Sequence, residues 1–194
     1  MRNNIFVGLV HYPIYNKNME TITTSITNLD IHDIARCVMT FQAERYYLIH
    51  PLPAQHQLAQ EILDYWQKGY GAVYNSDRKT ALDRILLKDS IKEVREDIQK
   101  ATGRPVSTIV TDARAYPQTI SYAKMRTILE REDDRNFLLL FGTGWGIIRE
   151  VMESADYVLE PVYGRGAYNH LSVRSAVAII LDRLLGEKWW EKSC

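Results

Sequence analysis

Three stretches of this 194-residue sequence gather side chains that can hold a ligand or move a proton. The first is Asn28-Leu29-Asp30-Ile31-His32-Asp33-Ile34-Ala35-Arg36. Arg36 follows His32 by four residues and Asp33 by three, so all three share one face of a helix. That face offers a base beside a cation. The simpler structural reading is an Asp33–Arg36 surface pair, with Asn28 or Asp30 capping the helix. The second stretch is Gly142-Thr143-Gly144-Trp145-Gly146, where glycines permit positive φ and let backbone amides and carbonyls meet a ligand directly. On that reading Gly144→Val blocks the pocket while the chain still folds. The alternative is a tight turn from strand to helix. The third is Asn169-His170-Leu171-Ser172, ahead of a long apolar helix. Asn and Ser are preferred cap residues there, and His170 has no carboxylate neighbour in sequence. Arg174, one turn further, sits where the helix dipole disfavours a cation. It is either a solvated surface arginine or the holder of a carboxylate or phosphate.

Several chemistries are excluded. The glycine segment lacks the spacing of the dinucleotide fingerprint and falls late in the chain, and no G-x-x-x-x-G-K-[ST] loop occurs. No Ser-His-Asp or Cys-His arrangement with a local signature is present. Cys37 and Cys194 are far apart and lack His or Cys neighbours at metal-ligand spacing, so neither a disulfide framework nor a metal site is expected. Their scarcity fits a reducing cytoplasm. Hydrophobic residues make up 46% and charged residues 25%, an ordinary globular composition. No apolar run approaches the roughly 18 residues of a membrane span. The opening apolar run at 5–10 reads as a strand, since it lacks the cleavage site of a signal peptide. The 24 basic and 24 acidic residues cancel. Bulk electrostatics therefore cannot drive nucleic-acid binding, although a local basic patch can.

These residues need a scaffold, and the pattern supplies one. Strand-like and helix-like stretches alternate throughout, which predicts an α/β domain over residues 1–194 with a mostly parallel sheet flanked by helices. Strands are expected at 5–10, 46–49, 108–111, 137–141 and 157–159. The continuous apolar run at 137–141 suits a central strand covered on both faces. Apolar stripes predict helices through Ile34, Val38 and Phe41, through Leu58, Ile62 and Trp66, through Ile91, Val94 and Ile98, and through Tyr122, Met125 and Leu129. Ser90-Ile91-Lys92-Glu93 is a capping box. Gly69 and Gly71 are expected to open a loop through Lys79. Residues 85–87 read as a short strand or as part of a helix begun near Lys79. Helical structure is expected at 147–152, and the last helix from near Leu171 to Gly186. In such a sheet ligands sit beyond the carboxyl ends of the strands. That places Thr111-Asp112-Ala113-Arg114, the glycine segment and Leu159-Glu160-Pro161 around one pocket.

Three blocks together resemble the SPOUT methyltransferases, specifically a small bacterial branch of RNA methyltransferases. They are the Asn28 to Arg36 stretch with the strand after it, Phe137-Leu138-Leu139-Leu140-Phe141 running into the glycine segment, and Tyr157-Val158-Leu159-Glu160-Pro161 through Asn169-His170-Leu171-Ser172-Val173-Arg174-Ser175-Ala176. With His11-Tyr12-Pro13 the likeness spans nearly the whole chain. It implies a C-terminal trefoil knot, although chains generally avoid knots. It also implies S-adenosyl-L-methionine as cofactor, RNA and by family habit tRNA as substrate, and a homodimer. The cofactor would lie against Thr111, Asp112, Ala113, Leu140, Gly142, Thr143, Gly144, Gly146, Leu159, Pro161, Asn169, His170, Leu171, Ser172 and Ser175. By likeness to ribose-methylating members, Arg36 activates or orients a 2′-hydroxyl, with Asn28 positioning it. Asp33 is the alternative base for a purine ring nitrogen such as guanine N1. The chain has no room for an added RNA-binding extension, so Arg78, Lys79, Arg165 and Arg174 are expected to meet RNA. Two other readings stay open: a cofactor-binding module that needs a partner, and a nucleotide-binding enzyme unrelated to methyl transfer.

Overall fold

The computed structural model describes residues 4–131 and 133–188; Cys194 lies outside them. In chain order the strands are β1 (Asn4–Val10), β2 (Ile14–Tyr15), β3 (Thr21–Ile22), β4 (Arg45–Ile49), β5 (Ile85–Lys88), β6 (Val106–Val110), β7 (Thr119–Ile120), β8 (Asn136–Gly142) and β9 (Tyr157–Leu159). The helices are α1 (Asn28–Thr40), α2 (Pro53–Gln67), α3 (Tyr70–Tyr74), α4 (Ser76–Leu82), α5 (Ile91–Thr102), α6 (Tyr122–Leu129), α7 (Arg149–Glu153) and α8 (Val173–Leu185). Seven strands form one sheet in the order β5-β4-β1-β8-β6-β9-β7, and every pairing in it is parallel. β2 and β3 form a separate antiparallel hairpin.

Both faces of the sheet are covered, as its central strands require. Phe137, Leu139 and Phe141 of β8 pack under α1, α6 and α8, while Leu138 and Leu140 join the core beneath α5 and α7. Alternation across two apolar faces produces the continuous hydrophobic run seen in sequence. The boundary residues follow local chemistry. The Ser90 hydroxyl accepts from the Glu93 amide, and Glu93 accepts in turn from the Asp89 amide, one residue before the cap.

The structure corrects several expectations. Thr27, not Asn28 or Asp30, caps α1, accepting from the Asp30 amide. Asp33 pairs with Arg174 at 3.4 Å rather than with Arg36. Residues 70–79 are two short helices rather than a loop, because Asn75 caps α4 by accepting from the Arg78 amide. Residues 85–88 are a strand. Helix α7 begins only at Arg149, since Ile147 is held in an antiparallel bridge to Ile14. α8 begins at Val173 with Ser172 as its cap, so Leu171 lies outside it. α2 buries Ala59 and Leu63, leaving Leu58 exposed.

Gly71 shows why a residue that usually marks a loop stands in a helix here. A Cβ at this position would lie 2.6 Å from the Trp66 ring. That ring is itself held by the His32 edge, at 5.3 Å between centroids, and by Arg78, whose guanidinium lies 4.4 Å from the ring centroid. Helix propensity favours Ala over Gly by about 1 kcal/mol. Forcing a methyl into a packed ring costs about 1–3 kcal/mol. Gly71→Ala is therefore expected to lower the urea midpoint, and a rise would show that Trp66 moves freely.

Candidate functional site

A cleft of about 940 Å³ opens at the carboxyl edge of the sheet. Thr111, Asp112 and Ala113 after β6 form one wall, and residues 142–146 after β8 form another. Residues 168–174, leading into α8, close the third side, with the Asn169 amide donating to the Ala113 carbonyl at 2.6 Å. Thr24, Ser25 and Thr27, from the segment between β3 and α1, form the fourth. Lys17 and Met19 overhang it from the hairpin turn, and Phe141, Val162, Ala176 and Ile180 supply apolar lining.

The glycine turn owes its composition to protein contacts. Gly144 has φ +56°, and a Cβ there would meet Ile14 Cδ1 at 2.9 Å and the Tyr15 carbonyl at 3.1 Å. Gly146 has φ +98°, with Asp112 Oδ2 2.8 Å from its virtual Cβ. The hairpin locks the turn: Trp145 donates its amide to Tyr15, and Tyr15 donates to Gly146. Beneath it Arg114 grips the Asp112 carboxylate in a fork, Nε to Oδ1 at 2.9 Å and Nη2 to Oδ2 at 2.8 Å. The expectation that Gly144→Val merely blocks a pocket is thus corrected, because the new side chain would collide with the hairpin. Even Gly144→Ala should lower the melting temperature and weaken cofactor binding together; loss of binding at unchanged stability would restore the simpler reading.

Two polar clusters flank the cleft. Asp30, only 4% exposed, accepts from the Thr27 hydroxyl at 2.6 Å and from Arg174 Nη1 at 2.9 Å. This carboxylate and Asp33 explain why a cation is kept in the first turn of α8 against the dipole. The other cluster surrounds Thr24. Its amide donates to the His11 carbonyl, its carbonyl accepts from His50 Nε2, and its hydroxyl contacts both His11 Nδ1 and Thr143 Oγ1. Burial pushes the His11 imidazole down to about 4, and burial also lowers His50.

A histidine whose folded pKa lies below its unfolded value of 6.5 contributes stability that is complete above pH 6.5. That contribution fades as the pH falls toward 4, because only the unfolded chain takes up the proton in that window. The protein is expected to lose a few kcal/mol across this range, with a shallower loss in His11→Asn. Identical urea midpoints at pH 7 and pH 4.5 would contradict this.

The structure brings together Thr111, Asp112, Ala113, Gly142, Thr143, Gly144, Gly146, Asn169, His170, Leu171, Ser172 and Arg174 around the one cleft. It leaves out four other residues expected there. Leu140 and Leu159 point into the core, and only the Leu140 carbonyl reaches toward the site, accepting from the Thr111 amide and hydroxyl. Pro161 is buried, and Ser175 is spent on the α8 cap. Asn28, Asp33 and Arg36 are exposed on α1, outside the lining of their own chain's cleft. Arg78 lies against Trp66, Lys79 pairs with Asp83 at 2.6 Å, and Arg165 is exposed on the segment before α8. Sequence reasoning missed Thr24, Ser25 and Thr27. The hydroxyl-rich run at 23–27 between a strand and a helix was their only signal.

The profile of a SAM-dependent RNA methyltransferase family matches residues 4–186. The chain belongs to the SAM-dependent RNA methyltransferase family. It is 43% identical to an uncharacterized protein of Aquifex aeolicus, over 95% of this chain and 89% of that one. It is 41% identical to a tRNA (guanine-N(1)-)-methyltransferase of Oleidesulfovibrio alaskensis, over 95% of this chain but only 42% of the relative's length. Among solved structures, the SpoU methyltransferase AviRb of Streptomyces viridochromogenes, in complex with AdoMet, aligns with a TM-score of 0.58 at 15% identity. That alignment covers 95% of this chain and 58% of AviRb, and it shows the SPOUT α/β fold.

The cleft of this methyltransferase fits S-adenosylmethionine. Apolar side chains can cover an adenine face, while the amides of Ala113 and Gly144 make no hydrogen bond within the described residues. The hydroxyls of Thr24, Ser25 and Thr27 and the Asp30 carboxylate line the opposite side. Such a pocket, mostly apolar with a few convergent polar groups, is the usual form of a small-molecule site.

Proposed function

We propose that this chain methylates a ribose 2′-hydroxyl of RNA, with tRNA as the substrate class, acting in the cytoplasm as a homodimer whose C-terminal helix completes a trefoil knot. The observation that carries the ribose reading is the contrast between two residues on α1. Arg36 is exposed and has no carboxylate partner among the described residues, whereas Asp33 is committed to Arg174. That ion pair ties the Asp33 carboxylate to the first turn of α8. A free guanidinium suits the oxyanion that develops as a 2′-hydroxyl attacks. Because Arg36 and Asn28 lie off their own cleft, they would serve the cleft of the neighbouring subunit. No helix among the described residues is long and apolar enough to cross a membrane, in keeping with a protein that meets RNA.

When bound, S-adenosylmethionine supplies the activated methyl group. The chain's own work is alignment and the exclusion of water. The walls at 111–113, 142–146 and 168–174 would fix the adenosine, leaving the methyl directed at an acceptor. Arg36, a cation, would stabilise the developing alkoxide while the hydroxyl proton passes to a phosphate oxygen of the RNA substrate. RNA docking would draw on Arg165 and on the surface near Arg78, where Tyr70 and Tyr74 stack 6.1 Å apart and stand exposed. Stacking tolerates any base, which suits a protein of zero formal net charge.

Guanine N1 methylation is the second reading, favoured by the name of the Oleidesulfovibrio relative. The matched region is less than half of that protein. Incubation of total tRNA with labelled cofactor, followed by nucleoside mass analysis, separates the two: a 2′-O-methyl nucleoside supports the first and a ring-methylated guanosine the second. Arg36→Ala is expected to lower turnover about a hundred-fold, the scale of losing one oxyanion donor, with cofactor affinity unchanged. Unchanged turnover would dismiss Arg36.

A further inference from the structure

The hydroxyl chain beside the cleft has only one consistent arrangement of protons. Thr143 Oγ1 lies 3.0 Å from the Val10 carbonyl, which can only accept, so the Thr143 proton points there. Thr24 Oγ1 lies 2.6 Å from Thr143 Oγ1 and must therefore donate its own proton to it. His11 Nδ1, 3.0 Å from Thr24 Oγ1, is left as the donor at the head of the chain. The sequence is thus His11 Nδ1–H to Thr24 to Thr143 to Val10. The His11 ring is fully buried, and its Nε2 has no partner, as befits a nitrogen carrying only a lone pair.

Both threonines line the cleft, and both have their single proton pointed inward along the chain. We propose that Thr24 and Thr143 form an acceptor-only subsite for a hydrogen-bond donor of the cofactor, with His11 as the positioning residue that fixes their polarity. This rests on the reading of the cleft as the cofactor site, and deepens it by naming what one wall recognises. The donor chemistry is a hydroxyl or an ammonium. S-adenosylmethionine carries both, the former on its ribose and the latter on its amino-acid end.

Thr24 is well placed for the task because nothing else about it can move. Its amide and carbonyl are held by the His11 carbonyl and by His50. His50 has its other nitrogen filled by the Leu52 amide, so it must donate from Nε2. The two buried histidines therefore hold opposite tautomers around one threonine. Doubly protonated His11 would place an N–H on Nε2 without an acceptor, in agreement with its depressed basicity.

The test uses the full chain and calorimetric binding without RNA, so that its outcome is independent of which nucleotide is methylated. His11→Asn keeps a donor near the Nδ1 position, whereas His11→Ala removes it. S-adenosylmethionine affinity is expected to fall at least ten-fold in His11→Ala and in Thr143→Val, and no more than about three-fold in His11→Asn, although both His11 variants lose packing and melt earlier. Rescue by Asn at equal thermal cost is the result a purely structural role would not give. The same variants are titrated with 5′-methylthioadenosine, which keeps the ribose hydroxyls and lacks the amino-acid end. A penalty with both ligands places the donor on the ribose, and a penalty with S-adenosylmethionine alone places it on the ammonium. No penalty with either, or an Asn variant as weak as the Ala variant, overturns the proposal. Failure of the unmutated chain to bind either ligand would instead sink the reading of the cleft.

Discussion

The pairing of β1 with β8 is the constraint on which the rest of this molecule depends. Seven consecutive residues of each strand run side by side in parallel, from Asn4 with Asn136 to Val10 with Gly142. More than a hundred residues of chain separate the two partners, so the contact is entirely non-local. Its register delivers the end of the first strand and the start of the glycine turn to the same edge. The Val10 carbonyl can then accept from both the amide and the hydroxyl of Thr143. A slip of one residue would exchange the two buried faces and leave the glycine turn without its anchor.

From that edge the site is assembled by short polar links rather than by any single motif. The hairpin of β2 and β3 grips the glycine turn, and the histidine pair fixes Thr24. Asp30 draws the first turn of α8 against α1 through Arg174. The histidine and Asp30 links satisfy buried polar groups, as a low-dielectric interior demands. Together they surround one volume in which backbone groups, hydroxyls and a carboxylate converge. The result is the proposed cofactor cleft, in which glycines serve the turn's own geometry and the hydroxyls of Thr24, Ser25 and Thr27 are brought in from outside the family-like blocks.

Much of this was legible from the order of residues. Two-faced burial wrote β8 as an unbroken apolar run, and helical periodicity located α1, α5 and α6. Ser90 marked the start of α5, while its end at Gly103, left-handed at φ +69°, is seen only in the structure. The walls at 111–113 and 142–146 followed from the rule that ligands collect beyond the carboxyl ends of parallel strands. The wall at 169–172 came from the family resemblance, and Leu159 and Pro161, which the rule also placed there, lie outside the lining. The hairpin and β7 were not legible, since two-residue strands have no period to detect. Nor was Thr24, whose importance comes from partners 13, 26 and 119 residues away. The cap of α1 was misplaced by one or three residues because Thr27, Asn28 and Asp30 are all competent caps. Only the packing of α8 decides that Asp30 turns inward to Arg174.

The segment from Pro161 to Ser172 has one more consequence. It arches from the end of β9 to the start of α8, largely exposed, and the Asn169 side chain is pinned to the Ala113 carbonyl. Its beginning is anchored by buried Pro161 and by Val162 against the core, and near its end the Asn169–Ala113 hydrogen bond acts as a latch. If the cleft holds the cofactor as proposed, parting of that hydrogen bond would open this side of it without disturbing the sheet, the hairpin or the histidine pair. Access to the cleft would in this way depend on the loop and not on the framework that shapes it.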